Sequence, residues 1–160
     1  MLSTFEKLNL RDHTRIVVLN APDSFEPELV TLHGVEVLRS LQDAGDIEFS
    51  LAFVTKQQEV DKLAAAITKK AKGDAVVWFA YPKGSSKKYK SEINRDNGWQ
   101  ALGKAGFEPV RMVAIDEDWS ASRFRRVEFI KTMTRAREYR MTTEGKARPA
   151  AKSDPMPSNA

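Results

Sequence analysis

The sequence contains no cysteine in its 160 residues. That absence removes disulfides, thiolate nucleophiles and thiolate metal sites together. Histidine is almost as scarce. His13 and His33 stand without ligand spacing between them, and each reads as a surface residue rather than a metal ligand or base; no metal site is expected. There is no G-x-S-x-G elbow, so Ser24, Ser85 and Ser86 have no recognisable activating partner. A GxxxxGK[ST] phosphate loop is also missing. No apolar run approaches the roughly 20 residues that cross a bilayer, and no membrane contact is expected. The opening MLSTFEKLNL carries Glu6 and no long apolar stretch, so a secretory signal is not expected and the cytoplasm is the expected location.

What is present is a chain with enough hydrophobic residues, 41%, to build a core. Its formal charge is +4, and that charge is local. Residues 131–160 hold 7 Lys and Arg against 3 Asp and Glu, while residues 1–130 hold 19 of each. The folded part is therefore neutral on balance. The expected division is a single α/β domain over 1–140 and a basic, disordered tail over 141–160. Such a tail can add salt-dependent affinity for nucleic acid, though a solvated end is the commoner outcome.

Periodicity places the elements. Arg15-Ile-Val-Val-Leu-Asn20 is a short apolar run ended by Asn-Ala-Pro-Asp, which predicts a buried strand. Pro27 suits the first turn of a helix whose inward face would be Leu29, Val30 and Leu32, with Gly34 as terminator. Val35–Leu38 and Ile47–Val54 read as the second and third strands. Thr55 and Gln58 have capping-box spacing before a helix carried by Val60, Leu63, Ala64, Ile67 and Ala71 and closed by Gly73. AVVWFAY (75–81) does not alternate, so both its faces should be covered. A helix of about ten residues is expected around Trp99 and Leu102, ended by Gly106. A strand over Pro109–Ile115 and a hairpin partner over Ser122–Phe129 follow. The fold class is α/β: a Rossmann-like three-layer domain with a mostly parallel sheet and a C-terminal antiparallel hairpin. Only six to eight residues join the second and third strands, too few for a helical crossover. Either the second strand is very short or the connection is a bare loop.

Ligands of open parallel sheets bind beyond the carboxyl ends of the strands. Asn20, Asp23, Thr55, Asp116, Trp119 and Arg125 are the expected lining of a pocket at that edge. The turn after the first strand, Asn20–Ser24, holds no glycine, so an ordinary dinucleotide fingerprint is excluded. The loop from Lys83 to Arg95 is the most unusual segment, with five basic residues against the single acid Glu92. Lys83, Gly84, Ser85, Lys87, Lys88 and Arg95 are candidate ligands for an anion, with Gly84 permitting close backbone approach; a merely solvated loop is the competing reading. Asp116-Glu117-Asp118 reads as a hairpin turn sooner than a cation site. Trp119 is a stacking platform or a core residue. Arg123 and Arg125 share a strand face and could grip a phosphate or pair with acids.

Three stretches carry a family resemblance. VVLNAP (17–22), WFAYPKGSSKKYKSEINRDNGW (78–99) and VAIDEDWSASRFRR (113–126) resemble the bacterial domain-of-unknown-function family 3052, over roughly residues 1–130. That resemblance places the chain in a group and carries over neither an activity nor a cofactor assignment. More distantly, the strand, polar loop, helix and terminal hairpin resemble the second half of class I methyltransferases. These hold S-adenosylmethionine after their first strand on a glycine-rich loop, which Asn20–Ser24 is not. The favoured expectation is a non-enzymatic or pseudo-enzymatic binding domain for an anionic ligand or partner at the sheet's carboxyl edge. The alternatives are a methyltransferase-like enzyme with a divergent S-adenosylmethionine site, with Asp96 or Asp116 as base, and a nucleic-acid accessory protein acting through its tail.

Overall fold

Alternate residues of the AVVWFAY run turn to opposite faces of one sheet, and both faces are covered. Ala75, Val77, Phe79 and Tyr81 enter one core while Val76, Trp78 and Ala80 enter the other. The computed structural model describes residues 3–130. The domain limit at 140 and the tail at 141–160 lie outside the described residues.

The strands are β1 (Arg15–Leu19), β2 (Glu36–Leu38), β3 (Ile47–Phe53), β4 (Ala71–Pro82), β5 (Phe107–Ala114) and β6 (Trp119–Arg126). Their order is β2-β1-β3-β4-β6-β5. The first four are parallel, and β6 runs antiparallel to both of its neighbours. Helices α1 (Thr4–Lys7) and α2 (Glu26–Val30) lie on one side; α3 (Gln57–Lys70) and α4 (Gln100–Lys104) lie on the other. This is a Rossmann-like three-layer α/β domain with a C-terminal antiparallel hairpin.

The β2–β3 connection resolves by both routes at once. β2 has three residues, and Leu41–Asp43 forms only a 3-10 turn. Val17 of β1 aligns with Leu38 of β2 and with Ser50 of β3, so the chain has to run back only from the level of Ser50 to Ile47. Three strand residues span about 10 Å, which a short loop covers without a helix.

Several boundaries differ from expectation for local reasons. Helix α3 is capped one residue later than Thr55 and Gln58 suggest. Backbone N–H groups of Thr55 (2.8 Å) and Lys56 (3.1 Å) donate to the Glu59 carboxylate instead. Gly73 does not close α3; the chain turns straight into β4 at Ala71, and Gly73 adopts φ 57° within that strand. A register shift between Ile47 and Phe49 absorbs the irregularity. Val30 is 80% exposed, because α2 ends there after one turn; within the helix only Leu29 is buried, and Leu32 just beyond it packs partly buried on the same core as expected. Helix α4 has five residues rather than ten, because the loop before it is held by its own hydrogen bonds up to Trp99. The hairpin is also shifted: β6 begins at Trp119 and ends at Arg126, where a 3-10 turn takes over.

Tyr81 shows how the buried polar groups of β4 are satisfied. Its hydroxyl lies 3.3 Å from Ser122 Oγ and donates to Met112 Sδ, and burial raises its pKa above the ordinary value of 10.0. A tyrosine that holds its proton more tightly when folded stabilises the fold fully below pH 10, and that contribution is lost as pH rises beyond it. Chemical denaturation between pH 9 and 12 should show a loss that Tyr81→Phe partly removes.

Candidate functional site

The sheet changes its direction of winding between β1 and β3, because β2 lies to one side of β1 and the later strands to the other. Parallel strands end at a common edge, so the loops after β1 and β3 diverge there and leave a crevice. Asn20, immediately after β1, takes a left-handed φ of 58° and turns the chain away; its Nδ2 donates to Phe53 O at 3.4 Å, tying the two loops together. The crevice is a cleft of about 450 Å³, within the roughly 300–1,000 Å³ typical of small-ligand sites.

One wall is the β1 loop, Asn20–Ser24. A second is Phe53, Thr55 and Glu59 from β3 and the start of α3, and the third is Lys88, Tyr89 and Trp119. The third wall is aromatic. Tyr89 and Trp119 lie 4.9 Å apart, Phe53 and Trp119 5.1 Å apart at 81°, and Lys88 Nζ sits 5.5 Å over the Tyr89 ring. Trp119 is 3% exposed and its Nε1 has no hydrogen-bond partner among the described residues. A buried N–H without an acceptor is costly in a native fold, and a ligand acceptor would relieve it.

The polar loop is pinned at both ends. Ser86 Oγ donates to Asp118 Oδ1 at 2.8 Å and accepts from the N–H of Tyr89, while Lys83 N–H donates to Asp118 O at 2.8 Å. Farther on, Glu92 N–H donates to Thr55 O and its carboxylate accepts from Gln57 N–H. These bonds carry Lys88 and Tyr89 to the cleft.

Among the expected pocket residues, Asn20, Asp23, Thr55 and Trp119 line the cleft; Asp116 and Arg125 do not. Asp116 Oδ1 accepts from the N–H groups of Asp118 and Trp119 and so closes the hairpin turn. Arg125 lies six residues along antiparallel β6, toward the opposite edge of the sheet, in a two-point pair with Asp74 at 2.6 and 2.8 Å. Of the anion candidates, Lys88 alone lines the cleft. Arg95 pairs with Asp96 at 3.6 Å, Lys87 and Ser85 are exposed, and a Cβ at Gly84 would meet nothing within 4 Å. The helix that follows the loop, α4, is a single turn and offers little dipole, while the α3 N-terminus is already occupied by Glu59 and Glu92. Glu59 and Tyr89 line the cleft without having been expected there; the spacing Lys56-x-x-Glu59 was the available signal for the first. Asp96 is likewise not among the lining residues. Among the described residues no group of three or more His, Asp or Glu side chains could hold a metal ion, and no helix is long and apolar enough to cross a membrane. The nucleic-acid reading rests on residues outside the described ones.

No protein-family model and no curated protein matches the sequence. Solved structures do. A SAM-dependent methyltransferase from Aquifex aeolicus aligns over 77% of this chain and 87% of its own, with 15% identity and a TM-score of 0.53. The pyocyanin biosynthetic protein PhzM aligns over 79% of this chain with 14% identity and a TM-score of 0.52; the match spans about half, 55%, of that chain. At such identities the likeness establishes the fold alone, a Rossmann-like α/β domain that these two proteins share with this chain.

Proposed function

We propose that this chain is a methyltransferase-like protein that takes S-adenosylmethionine into the cleft at the β1–β3 switch point, through a divergent site. The observation that carries the reading is the make-up of the cleft wall: Tyr89 and Trp119 in tilted contact with ring centroids 4.9 Å apart, with Asp23, Ser24 and Lys88 on the same cavity. Fold likeness alone would not license a reaction.

The donor set fits the group in kind. Aromatic faces suit an adenine ring and a sulfonium, since both stacking and cation–π attraction act there. Asp23 and Ser24 would hold hydroxyl or ammonium groups, and Lys88 a carboxylate. Asn20, at φ 58°, supplies the left-handed turn for which a glycine would ordinarily be used. Arg39 follows β2 where this fold usually presents an acid, and Glu26 holds it in a two-point pair. The site is thus assembled from the β1 loop and the aromatic wall rather than from the end of β2. When bound, S-adenosylmethionine supplies an electrophilic methyl group. Glu59 is committed to the α3 N-terminus, so its part is to hold the Thr55 and Lys56 backbone in place. The anionic-ligand reading loses ground because Lys83, Lys87 and Arg95 stand off the cleft. Tyr89, Trp119 and the 20–22 turn all fall within the stretches that resemble the domain-of-unknown-function family 3052, so the proposal extends to that family and to action in the cytoplasm.

Titration calorimetry with S-adenosylmethionine and S-adenosylhomocysteine tests the reading. At 100 times Kd either should raise stability by about 2.7 kcal/mol. Base–aromatic stacking contributes about 1–3 kcal/mol, so Tyr89→Ala should weaken binding roughly 5- to 150-fold. No heat and no thermal shift at millimolar ligand would refute it.

A further inference from the structure

A second constellation lies on the same sheet face as Trp119 but four residues farther along β6, about 13 Å away by strand rise. Cα register places Arg123 of β6 between Trp78 of β4 and Arg111 of β5, and Arg125 follows on the same face. Three guanidinium groups therefore share one patch of the β5–β6 hairpin. Their partners are unequal. Arg125 is held by Asp74, and Glu108, buried opposite Arg125, is itself engaged. Arg123 makes no hydrogen bond or ion pair to any described residue, and its Nε is buried without a partner. Arg111 is exposed and likewise without an acceptor among the described residues.

A half-buried guanidinium with no acceptor is unfavourable: it has lost water and gained nothing in return. Burial lowers the affinity of Arg123 for its proton; the charges of Arg125 and Arg111 act in the same sense, and the Asp74 carboxylate opposes them without overcoming them. Arginine is always charged at physiological pH, so the cost cannot be escaped by neutralisation. It can be offset by an anion. The guanidinium fork matches a tetrahedral oxyanion through parallel N–H donors, and two such forks without acceptors suit a doubly charged one.

We propose that Arg111 and Arg123, steadied by the Arg125–Asp74 pair, form a binding site for the dianionic phosphate monoester of a small molecule, separate from the cleft at Trp119. It is independent of the methyltransferase-like reading, because neither Arg111 nor Arg123 lines the cleft. Lys83, Lys87 and Lys88 belong to the other end of β4 and are not part of this patch.

The test uses the full chain and inorganic phosphate as probe, with phenyl phosphate as a monoester, at constant ionic strength set by chloride. Phosphate should raise the melting temperature in a saturable way, and phenyl phosphate should do so at lower concentration. Arg111→Gln, a change at an exposed position, should reduce apparent phosphate affinity at least tenfold, and Arg123→Gln should abolish the response. Lys87→Gln should leave it intact. A response equal to that of chloride, or one retained in Arg111→Gln and Arg123→Gln alike, would overturn the proposal. A response lost in Lys87→Gln as well would do the same, by showing diffuse charge screening instead of a site. A single-stranded oligonucleotide, carrying phosphodiesters only, should not compete with phenyl phosphate; competition would assign the patch to nucleic acid and overturn the small-molecule assignment.

Discussion

Trp78→Ala should destabilise the fold by about 3–5 kcal/mol, the range for truncating a large buried aromatic. Trp78 is fully buried in the middle of β4, on the face covered by α1. Its ring fills the space beneath the N-terminal segment, and its Nε1 donates to Leu8 O at 2.7 Å across 70 residues of sequence. Two losses therefore combine: the packing of the ring, and the satisfaction of a buried carbonyl that would otherwise cost about 1–3 kcal/mol. Trp78→Phe separates them, since it keeps most of the volume and removes the donor; it should cost about 1–3 kcal/mol. Urea denaturation of the two variants checks the division. A Trp78→Ala variant within 1 kcal/mol of the parent would mean that α1 does not rest on this ring.

Gly98→Ala should be nearly as damaging, at about 3 kcal/mol. Gly98 holds φ 106°, where L-residues are strained by roughly 1–3 kcal/mol, and an added Cβ would come within 2.4 Å of Ile93 Cγ2. Ile93 is 3% exposed in the core under α3, so it has little room to move. Gly98 O also accepts from Gln57 Nε2 at 2.8 Å, and displacing the loop would break that bond. Because the same loop presents Tyr89, the variant should also bind ligand in the cleft more weakly than its stability alone explains. Gly84→Ala is the control. A Cβ there meets nothing within 4 Å, and melting should shift by the equivalent of no more than about 0.5 kcal/mol.

The fold was legible wherever a period was long enough to register. AVVWFAY announced a doubly covered strand, and Val60, Ala64 and Ile67 recur on the buried side of α3. The antiparallel hairpin followed from the shortness of its turn. The candidate site was legible only by topology: the segments expected at the carboxyl edge include those that line the cleft, but not which of their side chains face it. The Lys83–Arg95 loop drew attention for its charge. What it brings to the cleft is Lys88 together with an aromatic ring, held by bonds from Ser86 to Asp118 and from Glu92 to Gln57. Contacts between residues more than 30 apart leave no local pattern. Arg125 was misplaced for a related reason: each residue of antiparallel β6 carries the chain about 3.4 Å away from the edge at which Trp119 enters.

Three indole N–H groups allow the central claim to be read at one atom. Trp78 donates to Leu8 O and Trp99 to Asn94 O, whereas Trp119 Nε1 has no partner among the described residues. In nitrogen-15 correlation spectra, saturating S-adenosylhomocysteine should move the Trp119 indole resonance and leave the other two in place. Three unmoved indoles at millimolar ligand would contradict a cofactor site in this cleft.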